Sequence, residues 1–516
     1  MEVTKSRFSL CSVDNMVSVI LFAIVALATL PLALSSEWAQ VVLDRGQDNA
    51  HYVALGRSLR IGAGFNAYGR GELDHTWWPE IEAQTIRGNR SVRLYAAEGI
   101  AEENVLEIDW PETQRLPGYP LFISLFVDSE PTITEINRIL IVQSVLAAMA
   151  VVFLYRFLRS EQISILWSSL ASFLFATHVT YLRRSLGTSP DIIMTILSLA
   201  FLVALYKCGT RNMGAKYRFV AAAIMVLMTS IRPEVYWLCV ITAIWFLISP
   251  RCEPRLPVLW NGLLFLSLGS TFCIGWGIRN YLWFGSFGQS TNPDTHMSWA
   301  AAPGVLGEAV GTDFHTASLV VSESIQYQLD VRESETGLQP KGFERSRIFG
   351  RVARQIMYEH LSTTTSMVSK AAIIKVLDPD LTELHKLMGD FTLQQHSGVF
   401  RALLDRDFLA LVASLRNLGT SGPMVSLDLS VVFLHMSRLL LAALGVTSLL
   451  RRRQWRVLAA LLTQLCFFGV ASLVHYEPSY FLPALPAVCI LIGMVHSDHE
   501  HRCDSNSATT THLVCA

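Results

Sequence analysis

Runs of about 20 apolar residues recur along this chain, and nothing else in it limits the fold so strongly, because that length crosses a hydrocarbon core of about 30 Å. The blocks fall at 16–34, 135–158, 162–182, 188–206, 218–232, 234–250, 257–279, 429–450, 456–474 and 479–496. Inside a bilayer a segment of this length satisfies its backbone hydrogen bonds only by coiling on itself. The expected fold is therefore an all-α polytopic membrane protein of about ten transmembrane helices. Charge agrees: 16% of the 516 residues are Asp, Glu, Lys or Arg, against roughly 25% in soluble domains. The first block follows Lys5 and Arg7, as a cleaved signal peptide would. It exceeds the about 7–15 residues of a signal core and is the first of many, so it reads as an uncleaved anchor.

Orientation follows from the basic residues in the short connections. Arg156 and Arg159 end the second block, and Lys207, Arg211, Lys216 and Arg218 lie between the fourth and fifth. Arg251 and Arg255 separate the sixth and seventh, and Arg451, Arg452, Arg453 and Arg456 the eighth and ninth. Threading the blocks alternately puts these clusters on the side of the N-terminus, which the positive-inside rule makes the cytoplasm. Arg183 and Arg184 fall on the other side and are the exception. This gives a cytoplasmic head at 1–15 and an N-terminal transmembrane module at 16–279 that contains an outward loop, 35–134. A second outward loop covers 280–428, C-terminal helices cover 429–496, and 497–516 is a cytoplasmic tail. The apolar pieces Leu116–Val127 and Met367–Leu377 are too short to span and read as interfacial or re-entrant helices within those loops.

Some chemistries are excluded early. With 41 Lys+Arg against 42 Asp+Glu the chain carries no basic surface for nucleic acid. No cysteine lies between Cys11 and Cys208 or between Cys273 and Cys466, so disulfides cannot form within either loop. The tail residues His496, His499, His501, Cys503 and His512 fit no tetrahedral ligand spacing and read as a solvated tail.

Chemistry should then sit where outward loops meet the membrane. After the first block, Asp48 opens a short helix with Tyr52, Leu55 and Leu59 on one face. Asp48 reads as an N-cap, and equally as a carboxylate able to take a proton from a hydroxyl nucleophile. Arg115-Leu116-Pro117-Gly118-Tyr119-Pro120 turns the chain into an apolar segment. Ser189-Pro190-Asp191 is an ordinary helix opening, and also a place for a second active-site carboxylate. Arg438, one turn after His435 in the eighth block, costs about 2.5–3.5 kcal/mol to insert. It must face protein or a cavity, either binding an anion such as phosphate or pairing with a buried carboxylate. Arg232-Pro233-Glu234 and Arg279-Asn280-Tyr281 add polar groups on the outer face, as does His475-Tyr476-Glu477. Asp378-Pro379-Asp380 reads as a loop turn.

In this order the pieces resemble one family. Asp48-Asn49-Ala50-His51-Tyr52 with Gly62 and Gly64, Arg115 to Pro120, Asp191, Arg232-Pro233-Glu234, Arg279-Asn280-Tyr281 with Gly285, and Tyr480-Phe481-Leu482-Pro483 look like the GT-C glycosyltransferases. Within that superfamily the likeness is to the dolichyl-phosphate-mannose protein mannosyltransferase-like group, which includes many bacterial members. Ser479 stands where the family often has Arg. The resemblance implies transfer of a sugar from a polyprenyl-phosphate donor to a glycan, lipid or protein acceptor, at the outer or periplasmic face of an inner membrane. It implies catalytic roles for Asp48 and Asp191, and substrate binding by Tyr52, Arg115, Tyr119, Arg232, Arg279, Asn280, Arg438, His475, Glu477 and Tyr480. A divalent metal could share the phosphate charge, although no ligand set is evident in the sequence. The competing readings are a transporter or flippase of lipid-linked sugars, another lipid-dependent transferase, or a non-catalytic scaffold.

Overall fold

The computed structural model of the protein describes residues 2–45, 47–62, 64–65, 115–128, 132–210, 214–248, 255–338, 340, 342–377, 381–387, 422–452, 454–473 and 478–496. Among these residues every regular element is a helix. The chain opens with α1 (Glu2–Ala33), α2 (Ser36–Arg45) and α3 (Gln47–Arg60). A short α4 (Gly118–Ile123) precedes α5 (Ile133–Ser160), α6 (Ile165–Ala176), α7 (Val179–Ser185) and α8 (Asp191–Thr210). Then come α9 (Gly214–Ile231), α10 (Val235–Ile248) and α11 (Arg255–Phe284).

Among the described residues four helical stretches are long and apolar enough to cross a membrane: Ser12–Ala33, Ile133–Ser160, Asp191–Cys208 and Ser426–Arg451. Ile165–Ala176 and Val179–Ser185 pass the same test only together, as a pair bent by 57°, which makes a fifth span if the two cross as one. These correspond to the first, second, fourth, eighth and third apolar blocks. The other blocks are helical too, but several have shorter apolar stretches, such as Val235–Ile244, Val457–Phe468 and Phe481–Gly493. Large apolar side chains such as Leu27, Phe433 and Leu440 stay exposed along the long helices, which suits a surface facing hydrocarbon rather than water.

The bundle has two chemically distinct ends. At one, Asp14 of α1 accepts hydrogen bonds from Tyr155 (2.6 Å) and Arg159 (2.9 Å) of α5, so these helices run antiparallel. Lys207 at the end of α8 pairs with Glu161 just beyond α5, also at that end. The basic residues at the ends of the second, fourth and eighth blocks thus gather on one side of the bundle. The other end collects the start of α8, the close of α9 and the short helices α2 to α4.

The described part of the second long loop holds more helix than its sequence suggests. It forms α12 (Asn292–His296), a π-turn at Met297–Ala301, α13 (Ala302–Val310), α14 (Phe314–Thr336) and α15 (Gly342–Glu359). Val321, Ile325 and Leu329, spaced one turn apart on α14, pack with Ile348, Phe349 and Val352 of α15 into a core separate from the bundle. Asp313 caps α14 by accepting from the backbone N–H groups of His315 (2.9 Å) and Thr316 (3.0 Å). Beyond it lie α16 (Leu361–Leu377) and α17 (Leu381–Leu387), so the expected interfacial piece Met367–Leu377 is the second half of α16. The chain closes with α18 (Gly422–Arg451), α19 (Trp455–Leu473), a 3-10 turn at Pro478–Ala484 and α20 (Leu485–Gly493). Helices α18 and α20 run side by side, and the Ser448 hydroxyl donates to the Val495 carbonyl (3.1 Å). Gly493 sits against Leu158, which puts the ends of α18 and α20 with the end of α5.

Candidate functional site

The site is assembled on the loop between α7 and α8. Two anchors fix that loop. The Trp38 indole of α2 donates to the Leu186 carbonyl (3.1 Å), and the Gln143 amide of α5 donates to the Gly187 carbonyl (2.9 Å). Gln143 also accepts from the Tyr119 hydroxyl at 3.3 Å. Both Gln143 and Tyr119 are fully buried. Burial, with Tyr52 and Asp191 nearby, pushes the Tyr119 hydroxyl well above its ordinary range and outweighs its bond to Gln143. It stays a neutral donor that ties α4 to the bundle.

Asp191 opens α8 and is 3% exposed. Its carboxylate accepts from the Arg232 guanidinium and from the Ser189 hydroxyl (3.2 Å), and stands 3.4 Å from Arg184 Nη1. Arg232, on the turn between α9 and α10, reaches back toward Glu234 at 3.7 Å. Arg184 lies 3.9 Å from Glu383 of α17, which Lys386 also holds at 2.9 Å. Charges therefore alternate along one line, Glu383, Arg184, Asp191, Arg232, Glu234, of which Glu383, Asp191 and Arg232 are buried and the other two half-buried. Burial alone would raise the Glu383 carboxyl, but Arg184, Arg183 and Lys386 outweigh it and bring it down to about 2. Glu383 is an anion at every physiological pH.

Around this line the separate sequence pieces meet. Tyr52 of α3 packs edge-on against Tyr119 of α4, with ring centroids 5.0 Å apart. The Arg115 guanidinium lies 5.2 Å from the Tyr52 ring centre. Gly118 is what lets α4 sit against the end of α9, because a Cβ there would fall 2.7 Å from the Ser230 carbonyl oxygen, two residues before Arg232. Asn49 donates to the Val42 carbonyl of α2 (2.8 Å), and its Oδ1 approaches Gly187. Asp48 precedes it in the first turn of α3, where a helix dipole favours an anion. That helix starts at Gln47, one residue ahead of the expected opening. The side chain of Asp48 lies outside the described residues.

Other expected residues lie elsewhere. Arg279 stacks on Trp276 (4.6 Å) and Phe284 (5.4 Å) and donates to Asn280 (2.6 Å). Asn280 is fully buried and donates to the Gly288 carbonyl (2.6 Å), so it fastens the end of α11 to the loop that follows. Trp276 also meets Phe65 at 5.3 Å, so Arg279 is approached from the segment following α3. Since α3 is 14 residues long, the two ends of that helix are about 20 Å apart. Arg438 donates from Nε to the Leu174 carbonyl (2.9 Å) and from Nη2 to the Thr177 hydroxyl (3.2 Å). It thereby supplies polar partners at the break between α6 and α7. Tyr480 is carried on the 3-10 turn, which is tied to α8 by a hydrogen bond from Ser198 and to α19 by one from Gln464, both to the Pro483 carbonyl. Its own side chain lies outside the described residues, as do His475 and Glu477. Among the described residues no group of three or more His, Cys, Asp or Glu is arranged to hold a metal ion.

Sequence reasoning missed Arg184, Glu383, Trp38 and Gln143. A signal for the first was present: Arg183 and Arg184 break the charge asymmetry expected of the connections, and a basic pair at that end of the bundle needs a partner. No protein-family model matches the chain, and no curated protein matches it.

Proposed function

We propose that this chain is a membrane glycosyltransferase of the GT-C kind, moving a sugar from a polyprenyl-phosphate donor to an acceptor on the outer face of the membrane. One observation carries the reading. Asp191 with its two arginines, Tyr52, Arg115, Tyr119 and the helix bearing Asp48 gather at the same end of an apolar bundle, although they span more than 180 residues of sequence. A polyprenyl tail stays in the hydrocarbon, so its phosphate emerges at just such an end. In this reading the membrane part comprises about ten spans with both termini cytoplasmic, as block length and loop charge imply.

In the reaction, Asp48 takes the proton from an acceptor hydroxyl or amine as that atom bonds to the anomeric carbon. The bond from that carbon to the phosphate oxygen breaks in the same step, the lipid phosphate leaves, and the configuration inverts. Charge grows on the leaving phosphate and needs fixed positive groups. Arg184 and Arg232 are oriented for this by Asp191, whose part is then to position them rather than to carry a proton. Arg115, over the Tyr52 ring, adds a further cation at this end of the bundle. Arg279 and Arg438, each engaged elsewhere, fit contacts with the rest of the substrate less directly.

The test uses the full-length protein in micelles with a short-chain polyprenyl-phosphate sugar. Asp48→Asn, folded as the parent, should lose roughly 10²–10⁴-fold in release of free lipid phosphate. Undiminished release in that variant removes Asp48 as the base. The broken span of α6 and α7 favours one rival, a carrier of lipid-linked sugars, because discontinuous helices often line transport sites. Movement of the intact donor across sealed vesicles, with no glycosidic bond cleaved, would establish that rival instead.

A further inference from the structure

The charge line described above ends in a group that no step of the transfer uses. Glu383 sits on a helix of two turns, and its carboxylate is 3% exposed. Arg184 lies 3.9 Å away, and Arg183 and Lys386 add positive charge around it. A buried anion held by cations in this way occupies the position an entering anion would need.

The same short helix is held otherwise by weak means. Leu381 and Leu384 rest on Val179 of α7 and Val431 of α18. His385 stands 3.3 Å from Asp428, both buried. With Leu387, which packs against the main core of the bundle, these leucines give an apolar contact of several kcal/mol before the cost of ordering the helix. The Glu383 contact with the arginines is the part of this docking that an entering anion can exchange.

We infer that α17 is a displaceable lid whose Glu383 carboxylate fills an anion site formed by Arg183 and Arg184 of α7, and that a lipid phosphate enters by replacing that carboxylate. The inference rests on the function proposed above only for the identity of the anion. In the docked state the lid shields the arginines from stray anions and water. A phosphate monoester with a hydrocarbon tail competes better than a free anion, because the tail holds it at the bundle. On exchange the carboxylate moves into solvent and Arg184 keeps its contact with Asp191, so the site is never left with unpaired cations.

The experiment reads the accessibility of the lid. Leu384 is 5% exposed, and no native cysteine lies between Cys273 and Cys466, so Leu384→Cys places a single thiol in this loop. In the full-length protein in vesicles, its reaction with a membrane-impermeant maleimide should be slow. Adding Glu383→Gln should speed it at least tenfold, and Glu383→Asp should fall between. Polyprenyl monophosphate should speed the Leu384→Cys protein by a similar factor and leave the Glu383→Gln protein unchanged. Equal rates with and without Glu383→Gln, in proteins that remain monodisperse, overturn the lid whatever the transfer assay returns. Fast labelling in Glu383→Gln with no response to polyprenyl monophosphate, and no sugar transfer by the parent, overturns the donor and not the lid.

Discussion

Replacing Asp191 by Asn measures how much the buried charge line contributes, separately from any reaction. The side chains of Asp191 and Arg232 are 5% and 8% exposed, and that of Arg184 is 18% exposed. The amide keeps the shape but leaves both guanidinium groups facing a neutral partner. Breaking one side of a buried pair costs about 3–5 kcal/mol, because the remaining charge stays desolvated. Here the lower end applies: Arg232 retains Glu234 at 3.7 Å and Arg184 retains Glu383 at 3.9 Å. A loss of about 3 kcal/mol is roughly a hundredfold in the folding equilibrium. Denaturation in mixed micelles, followed by tryptophan fluorescence, reads it directly. Combining Asp191→Asn with Arg232→Gln should cost less than the sum of the two single changes by about 1–3 kcal/mol, the sign of direct coupling. If Asp191→Asn melts within about 0.5 kcal/mol of the parent, or the two changes add, Asp191 is not the partner of these arginines. A loss of transfer with stability intact would then make it a reacting group instead.

Three further outcomes follow from other contacts. A Cβ at Gly445 would lie 2.6 Å from the Leu491 carbonyl carbon, so Gly445→Ala should force α18 off α20 and destabilise the bundle by about 1–3 kcal/mol in the same assay. The Glu383 carboxyl, normally at 4.5 and held at about 2, strengthens docking of the lid while it is ionised. Because the folded value is the lower one, that contribution is complete above pH 4.5 and fades as pH falls from 4.5 toward 2. Labelling of Leu384→Cys with an acid-active pyridyl disulfide, normalised to the exposed position in Leu338→Cys, should therefore rise as pH falls through that range and not above it, and a flat ratio would count against the contact. Arg438→Met should destabilise the broken span yet leave the KM for a polyprenyl-phosphate sugar unchanged, since its guanidinium serves Leu174 and Thr177. A raised KM would return Arg438 to the donor site.

What could be read from the sequence, and what could not, divides by the range of the interaction responsible. Block length is a local property set by the thickness of hydrocarbon, and it located the long helices, including the start of α8 at the Ser189-Pro190-Asp191 opening. Pieces flanking the outer ends of those blocks were expected together for the same reason, and Tyr52, Tyr119, Asp191 and Arg232 do meet. Within the second loop the local signals existed, with Asp313 before a helix and apolar residues at 321, 325 and 329, yet the segment was read as scattered interfacial pieces. Its spacing was legible; its independence was not, because a core such as that of α14 and α15 depends on which two faces find each other. The contact of Arg184 with Glu383 joins residues about 200 apart in sequence, and no periodicity encodes it. Its only trace was a pair of arginines on the side where the charge rule wants none. A basic doublet that violates that rule costs insertion energy unless something negative meets it, so in a chain of this kind the exception to the topology is the better guide to the site than the residues that obey it.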